Sequence, residues 1–87
     1  MSACDKIVNF FSELIRTTYY DEFTDPIVYA KILVDRILHE GLETLLFEII
    51  DEICSFNDII ECLKKSNMFN DFEIDIIESA LIALILK

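Results

Sequence analysis

Glycine and proline are nearly missing from this chain, which has one of each in 87 residues. That leaves little turn chemistry for a sheet, whose hairpins need such residues at fixed places. Cations are scarce too. Seven Lys and Arg stand against seventeen Asp and Glu, the net charge is −10, and only Lys64 and Lys65 are adjacent. Phosphate binding needs clustered cations, so the composition argues against direct contact with DNA or RNA and against an anionic membrane surface. His39 is the only histidine, so one chain cannot supply a two-histidine metal site. No glycine-rich loop is present to cradle a phosphate. Cys4, Cys54 and Cys62 are odd in number and form no CxxC, which argues against a disulfide framework or a zinc site and for a reducing compartment. No basic stretch followed by an apolar one opens the chain, so a signal peptide is not expected. The longest apolar run, Ala80–Leu86, is too short to span a bilayer.

Apolar residues are what the chain has in surplus: 54% of it is hydrophobic, above the usual share. A domain of this size buries only roughly 60–65% of its unfolded surface. The surplus has two readings. Either a tight helical bundle spills some apolar residues onto its surface, or a partner or a second copy covers them. On the second reading, the protein alone self-associates.

Helical spacing runs throughout, and the expected fold is all-α, one domain over residues 1–87 with about five helices. Ser2-Ala3-Cys4-Asp5, Ser55-Phe56-Asn57-Asp58 and Asn70-Asp71-Phe72-Glu73 have the capping-box spacing, with an N-cap residue and an acidic residue three positions on. Asp25-Pro26 offers a fourth start, Asp at N-cap and Pro at N1. The predicted helices cover about 4–18, 26–39, 42–53, 56–65 and 71–86. The first carries Ile7, Val8, Phe11, Leu14 and Ile15 on one stripe. On the second, Ile27, Ala30, Val34, Ile37 and Leu38 form a face that Val28, Ile32 and Leu33 widen. Ile74, Ile77, Ala80, Leu81, Leu84 and Ile85 form the stripe of the last. Gly41 follows His39-Glu40, and the next apolar run resumes at once. Glycine is favoured just past a helix end, where φ turns positive, so Gly41 is read as a helix stop. Two wide apolar faces joined by so short a break suggest an articulated, curled array able to clamp around a partner's helix.

No catalytic residue, cofactor site or metal site is expected. Asn67–Glu78 has a faint calcium-loop spacing, but Phe69 and Phe72 stand where an oxygen ligand and a glycine are required. A Cys/His nucleophile pair would need His39 beside a thiol in an electropositive setting, and the setting here is acidic.

The order of elements carries a resemblance. "AKILVDRILHEGLETLLFEIIDEI", then the capped "SFNDIIECL", then "FNDFEIDIIESALIALIL" resembles the enhancer-of-yellow family of small transcription and mRNA-export factors. The motif is Arg36-Ile37-Leu38-His39-Glu40-Gly41, a leucine-rich stretch that ends in L-x-E-G and restarts immediately, and the likeness covers residues 26–86. The chain departs from the family in having Leu42 where an aromatic residue is usual, in a shorter link before the fourth helix, and in a fifth helix without basic residues. The resemblance implies a non-catalytic adaptor in nuclear transcription coactivation and mRNA transport. Its partner would be a long scaffold helix in two settings, the histone-deubiquitinating chromatin-regulator part of SAGA and the TREX export complex at the nuclear pore. Localisation would then be nuclear, with a cytoplasmic pool. The inner wall of the clamp is expected from Leu42, Leu46 and Ile50 on the third helix and Ile77, Leu81 and Leu84 on the fifth. The alternative is an unrelated small acidic helical interaction or regulatory protein that self-associates.

Overall fold

All the helix starts marked by the sequence are made by the side chains expected. In the structure, a computed structural model that describes residues 2–86, the helices are α1 (Ala3–Arg16), α2 (Pro26–His39), α3 (Glu43–Asp51), α4 (Phe56–Lys65) and α5 (Asp71–Leu86). Ser2 Oγ accepts from the Asp5 amide at 3.1 Å, and Ser55 Oγ accepts from the Asp58 amide at 3.2 Å. Asn70 and Glu73 close a reciprocal box. The Glu73 amide donates to Asn70 Oδ1 at 2.8 Å, and the Asn70 amide donates to Glu73 Oε1 at 2.9 Å. Asp25 accepts from the Ile27 amide at 2.9 Å, with Pro26 in the first turn. Each such cap satisfies an amide that has no partner inside the helix.

Gly41 is the helix stop. Its φ is +69°. The Leu42 amide donates back to the Ile37 carbonyl at 2.9 Å and the Gly41 amide to the Leu38 carbonyl at 3.3 Å, the two bonds of a Schellman motif. Ile37 lies in the core, and Leu42 is among the half-buried side chains packed against that core. Asn67, after α4, takes the same left-handed conformation at φ +58°. Asparagine tolerates it better than other side chains.

The core draws on every helix. Ile7 and Phe11 of α1, Leu33 and Ile37 of α2, Leu46 of α3, Leu63 of α4, and Ile77 and Leu81 of α5 are wholly buried, and no polar or charged residue among those described is buried. α2 lies along α5, α4 bridges α5 to α1, and α3 closes over α1. Arg36 joins the two halves. Its Nη1 donates to the Leu14 carbonyl at 3.2 Å and to the hydroxyls of Thr17 and Thr18 at 2.8 and 2.9 Å, while Nε holds Glu40 at 3.0 Å. A cation there also suits the negative end of α1. The aromatic link before α2 is folded down as well. Tyr20 stacks on Phe72 and donates its hydroxyl to Glu73. Burial, reinforced by that carboxylate, pushes the Tyr20 phenol up to about 12. The Asp21 carboxylate accepts from the Phe23 and Thr24 amides and the Thr24 and Tyr29 hydroxyls. These bonds, the Phe23 amide first, hold it below the usual carboxylate range.

One expectation is shown only in part and another is revised. The accessible surface is 5329 Å², against about 5300 Å² for a compact monomer of this mass. The radius of gyration is 11.9 Å, against about 12 Å for a compact chain of this length. The described helices therefore close on one another as an all-helical domain, and an arrangement clamped around a partner helix is not shown. The cysteine reading also changes. Cys4 and Cys62 form a disulfide that ties the first turn of α1 to α4, their Cα atoms 5.3 Å apart, and Cys54 is left free and exposed. The residues are 58 apart in sequence, and only the packing of α1 on α4 brings them together, so spacing along the chain could not reveal the pair.

Two predictions follow from these contacts. A Cβ on Gly41 would meet nothing within 4 Å, so the cost of Gly41→Val is that of the backbone alone, on the order of 1–2 kcal/mol for a left-handed β-branched residue. Gly41→Asn loses less. Urea unfolding measures both, and an unchanged midpoint for the valine variant would overturn the Schellman reading. Reducing the disulfide lowers stability by about 2–4 kcal/mol, given the long loop it closes. Reductant then has no effect on Cys4→Ser, and a wild-type midpoint that ignores reductant would contradict the staple.

Candidate groove between α2 and α5

Two helices in this fold are apolar over more of their circumference than the core covers. On α2 the buried side is Tyr29, Ala30, Leu33 and Ile37, whereas Ile27, Val28, Ile32 and Leu38 are exposed. Of the face expected from spacing, Ile27, Ala30, Val34, Ile37 and Leu38, the structure buries Ala30 and Ile37, while Ile27 and Leu38 lie outside the core and Leu33, on its widened edge, lies within it. On α5, Ile76 is buried, while Ile82, Ile85 and Leu86 face outward.

The two outer stripes meet. Between α2 and α5 runs an open groove of about 460 Å³. Its floor is made of small or half-buried side chains, Ala30 and Val34 from α2 and Ser79 and Ala83 from α5, and its walls are Ile27 and Ile82. Ile27 is 54% exposed and Ile82 42%. Lys31 and Asp35 line the α2 side. The spacing 27, 31, 34, 38 on one helix and 75, 79, 82, 86 on the other keeps each stripe on one face along about three turns.

The six residues expected on a clamp wall lie elsewhere. Leu46, Ile77, Leu81 and Leu84 are in the core, and Leu42 and Ile50 are half-buried against it. The structure therefore brings them together as packing of the chain on itself. The groove residues were within reach of sequence reasoning. Ile27 and Val34 belong to the apolar face expected of the second helix, but periodicity alone cannot separate two adjacent apolar faces of one helix.

Nothing among the described residues gathers three or more His, Cys, Asp or Glu side chains able to hold a metal ion. Asn67 serves as the left-handed residue after α4, and Asn70 and Glu73 are occupied as a capping box. No described helix is long and apolar enough to cross a membrane. No family model, curated protein or solved structure matches this chain.

The division between core and groove is testable by charge insertion. Ile27→Asp and Ile82→Asp leave helicity intact and change stability by no more than about 1 kcal/mol, as surface substitutions do. Leu81→Asp or Ile77→Asp buries an unpaired charge and unfolds the chain. Circular dichroism through a thermal ramp reads the difference. Unfolding by Ile82→Asp would show that the groove wall belongs to the core.

Proposed function

We propose that this protein is a non-catalytic adaptor that docks a helix of a larger protein into the α2–α5 groove. One observation carries the reading: a mainly apolar groove walled by Ile27 and Ile82 remains at the surface of a chain whose own core is already closed. Soluble monomers seldom expose contiguous apolar surface without a use for it. A groove between two helices with a floor of small residues fits the ridge of a third helix, which would add a further member to the bundle. The resemblance to the enhancer-of-yellow family supplies the concrete partners to try, the scaffold helices of the SAGA deubiquitinating part and of the TREX export complex. A clamp that closes around such a helix remains the finer form of the proposal. The groove form requires no opening of the core.

The test is co-purification with paired variants. Tagged wild type and the folded Ile27→Asp/Ile82→Asp double variant are used as bait, and recovered proteins are cross-linked and mapped. A partner retained by wild type, lost with the double variant and cross-linked through a helical segment supports the reading. A partner retained equally by both excludes the groove as its docking site.

A further inference from the structure

Seven of the eleven large hydrophobic residues exposed among those described lie on α2 and α5, with Ile27, Val28, Ile32 and Leu38 on α2 alone. These two helices thus hold most of the apolar surface that the core leaves uncovered. The charges that line the groove between them are one cation and one anion, Lys31 and Asp35. A neutral lining selects neither a basic nor an acidic partner. It selects one that presents the same two charges in reverse order. Both residues are exposed, and neither forms an ion pair among the described residues. A lysine four positions ahead of an acid is the weaker order for a pair within one helix, so both charges stay available. With about 3.6 residues per turn, Lys31 and Asp35 leave α2 on the side opposite the wholly buried Leu33. They stand about 3 Å before and after its level along the helix.

We infer that the free protein closes this groove with a second copy of itself. In an antiparallel two-fold contact with its axis at the level of Leu33, Lys31 of each copy stands beside Asp35 of the other, and Val28 comes level with Leu38. The charged pair is made twice, as an isologous interface requires. Each α2 lies along the mouth of the other copy's groove, against Ile27 and Ile82. The net charge of −10 per chain opposes association, but physiological salt confines that repulsion to about 8 Å, and the charges lining the contact are complementary. The inference goes beyond the adaptor but rests on the same reading of the groove as a helix-docking site: the second copy holds the groove until a partner helix displaces it.

Exchange of the two charges tests the inference. Sedimentation equilibrium of the full chain in physiological salt gives the dimer Kd, with Cys54→Ser throughout to prevent cross-linking by the free thiol. Lys31→Asp sets acid against acid at both pairs, and Asp35→Lys sets amine against amine. Each is expected to raise Kd at least about tenfold. Mixing the two variants makes a heterodimer in which both pairs are attractive again, so the mixture recovers wild-type association although neither component associates alone. Ile27→Asp/Ile82→Asp, folded by circular dichroism, is expected to be monomeric. A wild-type chain that stays monomeric overturns the inference, as does a dimer that the double variant retains. A dimer lost in the double variant but indifferent to the charge exchange overturns the antiparallel pairing. The adaptor reading fails separately. A monomer whose groove still captures a partner in the co-purification overturns only the dimer, and a dimer without any groove-dependent partner overturns only the adaptor.

Discussion

A helix that is apolar around most of its circumference must be covered on more than one side, and α5 is that helix. It supplies Ile74, Ile76, Ile77, Ala80, Leu81 and Leu84 to the core, more than any other element. α2 and α4 pack on it directly, and α1 and α3 complete the enclosure. Its N-terminus is held by the Asn70–Glu73 box, and the same Glu73 receives the Tyr20 hydroxyl from the link before α2. One carboxylate thus starts the helix and anchors the loop that delivers its main neighbour. The side of α5 that the core leaves uncovered is the side that forms the groove. Core and candidate site are therefore two consequences of one excess of apolar surface.

Local signals carried far in this chain, because helix starts and stops are decided by a few residues. Ser2, Asp25, Ser55 and Asn70 act through hydrogen bonds that span two or three positions. Gly41 acts through its own φ. Such interactions depend on immediate neighbours, so helices α2, α4 and α5 begin and end where the letters indicate. Long-range choices were hidden. Which face of α2 turns inward depends on where α5 lies, and Ile27 and Leu33 are equally apolar as letters. The Cys4–Cys62 pair is a matter of how α1 crosses α4. Arg36, part of the motif behind the family resemblance, turns out to brace α2 against the end of α1, a role no spacing along the chain announces.

The disulfide stands in tension with a nuclear or cytosolic setting, since thiols there are kept reduced and disulfides persist in oxidising compartments. The fold does not depend on the bond alone. α1 is also held by Ile7 and Phe11, both wholly buried, by Arg36 at its C-terminal end, and by the Lys6–Glu52 ion pair at 3.2 Å. That last pair is exposed and contributes little, but the buried side chains do not lose their contacts when the thiols are free. Reduction removes a constraint on the unfolded chain more than a contact of the folded one. The same architecture is therefore compatible with either redox state, at different stability.

The distinction between a clamp and a groove comes down to whether a side chain can serve twice. Leu46, Ile77, Leu81 and Leu84 are fully or almost fully buried. Returning four such residues to water costs on the order of 6–12 kcal/mol at about 1.5–3 kcal/mol each, which is comparable to the whole stability of an ordinary domain. Opening the bundle around a partner would expose these side chains, and the partner's contacts would have to offset that loss before any net affinity appeared. Ile27, Val34, Ile82 and Ala83 are not under that constraint. They can be covered without exposing anything, so the free energy of covering them goes into binding. For a chain this short, the surface left over by a closed core is where recognition is least expensive, and in this structure that surface lies along α2 and α5.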